Sequence, residues 1–160
     1  FNPIGAHDSG LIGENPLDLP NNIVPLLNKV AAGHIKEFKV YGNDWETIDG
    51  TGVRDYVHVM DLANAHHKAF EYIFDFSSRN IQLNIGTGRG TSVIQLINTF
   101  QDVNGMKIPY VFSHRRKGDI PYSVADSSLA KNIINWTANR DLKIMCRDSW
   151  NWFVNNQNQI

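Results

Sequence analysis

Short extended segments alternate with amphipathic ones along this chain, and that order restricts the fold more than any other feature. In the clearest helix pattern, apolar residues recur every three or four positions from Ile23 to Val30, with Asn22 as the cap and Gly33 as the stop. Further helices are predicted near 92–104, 127–134 and 141–154, and strands at 36–41, 55–60, 81–85 and 108–113. Strands that alternate with helices predict the α/β class.

A further helix is expected directly after the strand at 55–60, with Asp61 as its N-cap. The inner face of that helix is predicted to carry Leu62, Ala65, Ala69, Phe70 and Ile73. A chain of 160 residues with neither repeats nor a linker predicts one domain, 1–160. Within it, residues 1–3 are expected to end a strand, and the polar tail 155–160 is expected to fray.

Charge and cysteine content exclude several function classes. Fifteen basic against sixteen acidic residues leave a net charge of −1, so no general field favours nucleic acid or an anionic membrane. The single cysteine, Cys146, fits a reducing compartment, and no apolar run approaches the 18 residues of a membrane span. The chain begins with Phe1 rather than Met, and we expect it to be a cytoplasmic part of a longer gene product.

The glycine-rich run Gly86-Thr87-Gly88-Arg89-Gly90 lies between a predicted strand and a predicted helix, where a dinucleotide fingerprint would sit. That fingerprint is G-x-G-x-x-G, and the third glycine here comes one residue early because position 91 is Thr. No βαβ unit with a suitably placed acidic residue follows. We therefore interpret the run as a tight strand-to-helix turn.

The stretch from Tyr41 to Leu62 combines an aromatic residue, a Gly/Asp-rich turn, one arginine, an alternating strand and a helix cap. A second distinctive stretch opens the chain as Phe1-Asn2-Pro3-Ile4-Gly5-Ala6-His7. Together they closely resemble the C-terminal half of UDP-glucose (UDP-galactose) 4-epimerases, which belong to the extended short-chain dehydrogenase/reductase superfamily. The resemblance covers nearly the whole chain. It implies the substrate-binding portion of a Rossmann-type fold, without the N-terminal dinucleotide-binding portion.

The resemblance also implies a site for a UDP-sugar, which calls for a flat apolar platform, arginines for the diphosphate and short polar groups for hydroxyls. The substrate-binding positions it assigns are Asn2, Asn22, Ile23, Lys39, Val40, Tyr41, Arg54, Tyr56, Arg116, Asp119 and Ser123, and Phe1 is assigned to a position beside the nicotinamide of NAD. Without the resemblance, Arg54 is equally well explained as a structural partner of Asp55. Similarly, Tyr41 alone favours the core, and a basic run such as 115–117 favours a solvated face.

The reaction implied by the resemblance is inversion at sugar C4, through hydride transfer to and from bound NAD, with the tyrosine of a Tyr-x-x-x-Lys motif as base. None of the five tyrosines has a lysine four residues later. We therefore expect no catalytic residue in this chain and no activity of the chain by itself. Its expected partners are the UDP-sugar and the N-terminal half of the same protein, with a homodimer of the complete enzyme left open.

Two functions other than UDP-hexose epimerisation remain open for a chain of this sequence. A nucleotide-sugar dehydratase or decarboxylase of the same superfamily is the nearer alternative, and a non-catalytic nucleotide-sugar binding module is the other. The resemblance also places Ser123 at a family position where a small residue is associated with acceptance of N-acetylated UDP-sugars and a tyrosine with their exclusion, so we expect acceptance here. The six histidines show neither a chelating pair nor accompanying cysteines, so no metal site is expected.

Overall fold

Short strands and longer helices alternate in the computed structural model of this chain, which describes residues 1–16, 20–75 and 80–156. The strands are β1 (Asn2–Ile4), β2 (Phe38–Tyr41), β3 (Val53–Arg54), β4 (Tyr56–His58), β5 (Thr91–Ser92), β6 (Tyr110–Ser113) and β7 (Tyr122–Ser123). The helices are α1 (Ile23–Ala31), α2 (Val59–Asp75), α3 (Val93–Asn104), α4 (Ser128–Ile134) and α5 (Leu142–Asn155). The α/β class predicted from the sequence is confirmed.

Among the described residues, the strands pair in three small groups rather than in one continuous sheet. Strand β1 runs parallel to β4, β2 runs parallel to β6, and β3 lies between antiparallel β5 and parallel β7. The two parallel pairs join segments that are far apart in sequence, as crossover connections require. Because β3 and β4 are separated by the single residue Asp55, the chain passes directly from one sheet to another at that point.

The main core lies between α1, α3 and α5. It contains Val24 and Leu27 of α1, Leu96, Ile97 and Phe100 of α3, and Met145 and Cys146 of α5, all buried. Helix α3 begins with a capping box in which Ser92 accepts from the Gln95 amide and Gln95 accepts from the Ser92 amide. It ends at Gly105 in the left-handed conformation, with φ of 64°. The helix predicted at 92–104 is therefore confirmed by its caps as well as by its period.

Helix α2 corrects two expectations. It begins at Val59, two residues before the predicted Asp61 cap, and the Met60 amide donates to Nδ1 of His58 at 3.0 Å. The side chain of Asp61 is buried within the first turn and accepts from the amides of Asn139 and Arg140. Asp61 therefore connects α2 to the segment before α5 instead of capping the helix.

The inner face of α2 also differs from the prediction. Leu62 and Ala65 are buried and Ala69 packs against the same cluster, but Phe70 is 66% exposed and Ile73 is 42% exposed. Successive helical residues are separated by about 100°, so a stripe that includes Ala69 turns its neighbour Phe70 away. The prediction of Phe70 and Ile73 as inward-facing is wrong.

Three further boundaries differ from the sequence expectation. The strand predicted at 55–60 is shortened to Tyr56–His58, since Asp55 lies between β3 and β4 and α2 begins at Val59. The segment 81–85 is not a strand, because no ladder forms between it and any other described segment. In the tail that was expected to fray, Asn155 ends α5 and Nδ2 of Asn156 donates to the Gly10 carbonyl at 2.9 Å, while residues 157–160 lie outside the described part.

Candidate functional site

A cleft of about 880 Å³ opens between the start of α1, the paired strands β1 and β4, and the loop after β6. It collects residues that are distributed over most of the chain. Of the twelve positions singled out from the sequence, those that line the cleft are Phe1, Asn2, Asn22, Ile23, Lys39, Tyr41, Arg54, Tyr56, Arg116 and Asp119. A cleft of this size, with a few converging polar groups, has the form of a small-molecule site.

Val40 and Ser123 are placed differently. The Val40 side chain is fully buried in the core, so only its main chain could contact a ligand. Ser123 is exposed on β7, outside the lining of the cleft, although its Cα is paired in register with that of Arg54. The structure therefore brings Ser123 next to the cleft without making it part of the wall.

Arg54 is fixed on the wall of the cleft by hydrogen bonds in several directions. Its Nη1 donates to the carbonyls of Val53 at 2.8 Å and Ile120 at 2.9 Å, and its Nη2 forms an ion pair with Oδ1 of Asp119. The alternative in which Arg54 is the structural partner of Asp55 is wrong. The two cleft residues Arg54 and Asp119 are partners of one another.

The Asp55 carboxylate instead binds the glycine-rich turn. Oδ1 accepts from the amide of Thr87 at 2.9 Å, and Oδ2 accepts from the amide of Gly88 at 2.9 Å and that of Ala125 at 3.3 Å. An added Cβ at Gly86 would lie 2.4 Å from Asp55 Oδ2, so this close approach requires glycine. The amides of the turn are thus occupied by an internal anion, which agrees with its interpretation as a structural turn rather than a phosphate loop.

Two adjacent arginines after β6 stack on two different aromatic rings. The guanidinium carbon of Arg115 lies 3.7 Å from the ring centroid of Trp45, and that of Arg116 lies 4.0 Å from the ring centroid of Tyr41. Arg115 also donates to the carboxylate of Asp44 at 2.8 Å, which lowers the pKa of that carboxyl group. Arg115 therefore anchors the loop from outside the cleft, whereas Arg116 faces into it.

Arg116 differs from Arg54 in its charge balance. Within the described residues, Arg116 has no carboxylate partner, and its planar group rests on the Tyr41 ring. A guanidinium without a counterion at the mouth of a cleft attracts anionic ligands, and phosphate suits its planar donors. Tyr41 thus supports an arginine in this structure, a role that its position in the sequence did not indicate.

The first turn of α1 contributes main-chain donors to the same cleft. Asn22 is the N-cap residue, but its side chain makes no capping hydrogen bond and its Nδ2 donates to Glu14 at 2.8 Å. Pro25 has no amide hydrogen, so Ile23 and Val24 carry the N–H groups that begin the helix. Both residues line the cleft, where a helix N-terminus favours an anion.

Tyr56 forms part of the deeper wall. It is 6% exposed and lines the cleft, and burial raises the pKa of its hydroxyl to about 12. Such a hydroxyl stays protonated at neutral pH and can donate or accept a hydrogen bond, but it is a poor proton acceptor for general-base catalysis.

Two buried polar pairs near the cleft were not anticipated. His58 and Asp148, both buried, face each other with 3.3 Å between Nε2 and Oδ2. Burial is the main cause that lowers the pKa of His58. In the cleft lining, Nδ2 of Asn28 donates to Ser149 at 2.9 Å, and Oδ1 of Asn28 has no hydrogen-bond partner among the described residues. Each pair joins positions about a hundred residues apart, so no local sequence signal could reveal it.

In the part of the chain that the structure describes, no group of three or more His, Cys, Asp or Glu side chains is arranged to hold a metal ion. None of the helices in that part combines the length and the apolar character needed to cross a bilayer.

The fold closely matches those of solved UDP-glucose 4-epimerases. The enzyme from Stenotrophomonas maltophila, solved with NAD and formylated UDP-arabinopyranose, is 48% identical with a TM-score of 0.96. That match covers 100% of this chain and 47% of the other. The Bifidobacterium longum enzyme, solved with NAD⁺ and UDP, is 43% identical with a TM-score of 0.94 over 100% and 47% of the two chains. The fold is thus that of the C-terminal portion of an extended short-chain dehydrogenase/reductase.

Sequence comparison identifies the family. The family model described as GDP-mannose 4,6 dehydratase matches residues 4–149, and the chain belongs to that family. The UDP-glucose 4-epimerase of Bacillus subtilis is 48% identical over 158 residues, which are 99% of this chain and 46% of the relative. That of Pasteurella multocida is 50% identical over 95% and 45% of the two chains. The chain spans about half the length of these relatives, and the resemblance noted in its sequence is confirmed.

Proposed function

We propose that this chain is the UDP-sugar-binding part of a UDP-glucose 4-epimerase. The observation that carries the proposal is the convergence of ten predicted ligand residues on one cleft of about 880 Å³, in a chain 48% identical to such an enzyme. The family also includes dehydratases, as the description of its model indicates. Since the relatives near 50% identity are epimerases, we favour epimerisation over dehydration.

In this proposal the diphosphate lies between the two arginines and the start of α1. Arg116 supplies a guanidinium that no carboxylate of the described residues neutralises, and Arg54 supplies one that is already oriented by carbonyl oxygens. The N–H groups of Ile23 and Val24 add uncharged donors at a helix N-terminus. Charge-assisted hydrogen bonds of this kind are about twice as strong as neutral ones, so we expect the diphosphate to dominate affinity.

The nucleoside and sugar would take the remaining residues. We assign the uracil edge to Lys39, Tyr41 and the main chain of Val40, and a ribose hydroxyl to Asp119, whose Oδ2 makes no hydrogen bond in the described part. Asn2 and Tyr56 lie on the paired strands β1 and β4 and are assigned to the sugar side of the nucleotide.

The chemistry at C4 requires groups that this chain does not supply. Relatives have been solved with NAD, which would accept and return the hydride. The sequence contains neither the dinucleotide fingerprint nor a Tyr-x-x-x-Lys motif. We therefore propose that an N-terminal half holds most of the NAD and the catalytic base, and that Phe1 flanks the nicotinamide. By itself the chain should then be inactive.

Two exposed features suit such a second half. Parallel sheets are normally covered on both faces, yet Asn2 and Pro3 of β1, the strand that pairs with β4 at the edge of the cleft, are exposed. Beside it, Phe70 and Phe74 of α2 stack on each other at 5.9 Å and are 66% and 76% exposed. We propose that the second half covers this surface. A cytoplasmic location and a homodimer of the complete enzyme remain proposals that follow from the resemblance.

Calorimetric titration of the chain with UDP and with NAD tests the proposal. We expect saturable UDP binding that UDP-galactose displaces, no NAD binding, and no conversion of UDP-galactose to UDP-glucose. Addition of a fragment with the N-terminal half should restore both NAD binding and conversion. Absence of UDP binding both in the chain and in the reconstituted protein would show that the cleft is not a UDP-sugar site.

A further inference from the structure

Asp119 is a fixed negative charge beside the two arginines of the cleft, whose lining also includes Lys39 and, near the start of α1, Glu14. Its Oδ1 pairs with Nη2 of Arg54 and also accepts from the amide of Ile120 at 3.1 Å. The Arg54 and Asp119 side chains are 21% and 28% exposed, so water screens the pair only in part. Both partners are additionally held by the main chain, which keeps the pair in place without a ligand.

The pair makes the two guanidinium groups of the cleft unequal. Arg54 is neutralised by Asp119, whereas Arg116 rests on Tyr41 and has no carboxylate partner in the described part of the chain. An anion that approaches Arg54 therefore meets the field of a carboxylate as well as that of a guanidinium. The favourable electrostatic interaction between the anion and Arg54 is therefore reduced, although Arg116 still attracts the anion.

A ligand with hydroxyl groups beside its phosphates experiences Asp119 differently. Oδ2 of Asp119 has no hydrogen bond in the described residues, and an ionised carboxylate oxygen is a strong acceptor. A hydroxyl donor can thus recover the energy that a bare anion loses by repulsion. Discrimination by an unfavourable interaction with the wrong ligand is a general route to specificity.

We propose that Asp119 determines specificity by disfavouring anions that lack a hydroxyl donor, such as inorganic pyrophosphate, relative to nucleoside diphosphates. This inference rests on the proposed function of the cleft. It assigns the carboxylate a second effect beyond contact with a ligand hydroxyl, because the same charge lowers the affinity of the empty cleft for simple phosphates.

The test compares inorganic pyrophosphate and UDP by calorimetry at about 0.15 M salt, where the Debye length is about 8 Å. Asp119→Asn keeps an acceptor for Arg54 and removes the charge, and we expect pyrophosphate affinity to rise on the order of tenfold. UDP affinity should stay level or fall. Asp119→Glu keeps the charge and should keep pyrophosphate affinity within about threefold of wild type, a change of roughly 0.7 kcal/mol.

Two controls separate the pair from general charge. Asp102→Asn alters the net charge identically from an exposed position on α3 outside the cleft, and should leave the UDP-to-pyrophosphate affinity ratio unchanged. In an Arg54→Gln background, Asp119→Asn should still raise pyrophosphate affinity by about tenfold or more, since the carboxylate there repels the anion without the opposing charge of its partner.

Several results would overturn the inference. These are unchanged or undetectable pyrophosphate binding in Asp119→Asn, an equal rise for both ligands, or an equal rise in the Asp102→Asn control. Circular dichroism and thermal melting establish that each variant is folded, and Asp119→Glu provides the comparison should the asparagine variant unfold. Failure of the proposed function is distinguishable, because it appears as absence of UDP binding in both the wild-type chain and the protein reconstituted with its N-terminal half.

Discussion

Arg115 and Arg116 provide a matched test of the cleft, because they are adjacent, carry the same charge and face different surroundings. Arg116 lines the cleft above Tyr41, and Arg115 lies over Trp45 and binds Asp44. Arg116→Ala should remove a charge-assisted hydrogen bond to the diphosphate, which contributes about 1.5–3 kcal/mol. UDP affinity should therefore fall about 10- to 150-fold.

Arg115→Ala removes one positive charge without removing a cleft contact. At about 0.15 M salt its long-range effect is largely screened, and we expect UDP affinity to change by about threefold or less. Arg116→Lys should be intermediate, because lysine keeps the charge but loses the planar contact with the Tyr41 ring, which contributes about 0.5–1 kcal/mol.

Calorimetric titration of UDP into the three variants measures these differences directly, with melting temperatures to establish that each variant is folded. Equal losses in Arg115→Ala and Arg116→Ala would refute the assignment, since they would indicate a general effect of charge. Unchanged affinity in Arg116→Ala would place the diphosphate elsewhere in the cleft.

Three further predictions address stability and substrate range. Burial lowers the pKa of His58 below 6.5, so at lower pH the unfolded chain binds a proton that the folded chain does not. The free energy of unfolding should therefore decrease as pH falls below 6.5, by up to about 1.4 kcal/mol per pH unit. Urea titrations at several pH values measure this free energy, and a value that does not change with pH in this range would contradict the lowered pKa. Asp55→Ala should leave the amides of Thr87 and Gly88 without an acceptor, and so reduce the free energy of unfolding by about 3 kcal/mol or more. A reduction of less than about 1 kcal/mol in the same titrations would show that water replaces the carboxylate. In the complete enzyme, Ser123→Tyr should reduce turnover of UDP-GalNAc far more than that of UDP-galactose, because overpacking around the N-acetyl group costs about 1–3 kcal/mol. Equal effects on the two sugars would show that Ser123 does not determine the substrate range.

Periodicity and capping in the sequence were sufficient for most helices. The pattern from Ile23 to Val30 and the apolar spacing within 92–104 predicted α1 and α3 almost to the residue. These signals depend on neighbours within four positions along the chain, so they can be recognised without knowledge of the tertiary contacts. The family resemblance also selected ten residues that line one cleft.

Other features depended on distant partners. The strand predicted at 55–60 is shortened to Tyr56–His58, because the Asp55 side chain binds amides at positions 87, 88 and 125 and α2 begins at Val59. The segment 81–85 is not a strand, because no described segment pairs with it. Phe70 fitted a helical stripe by spacing, but the packing of Leu62 and Ala65 fixed the rotation of α2 and turned it outward.

The charges of the cleft also depend partly on the sequence alone and partly on the tertiary structure. The sequence by itself supplied two arginines, an aspartate and an aromatic residue in plausible loops. Only the tertiary structure decided that Asp119, 65 positions from Arg54, neutralises that arginine, and that Arg116 rests on Tyr41 with no counterion in the described chain. Local propensity acts over a few residues, whereas the charge balance of a cleft depends on which loops the fold brings within a few ångströms of each other.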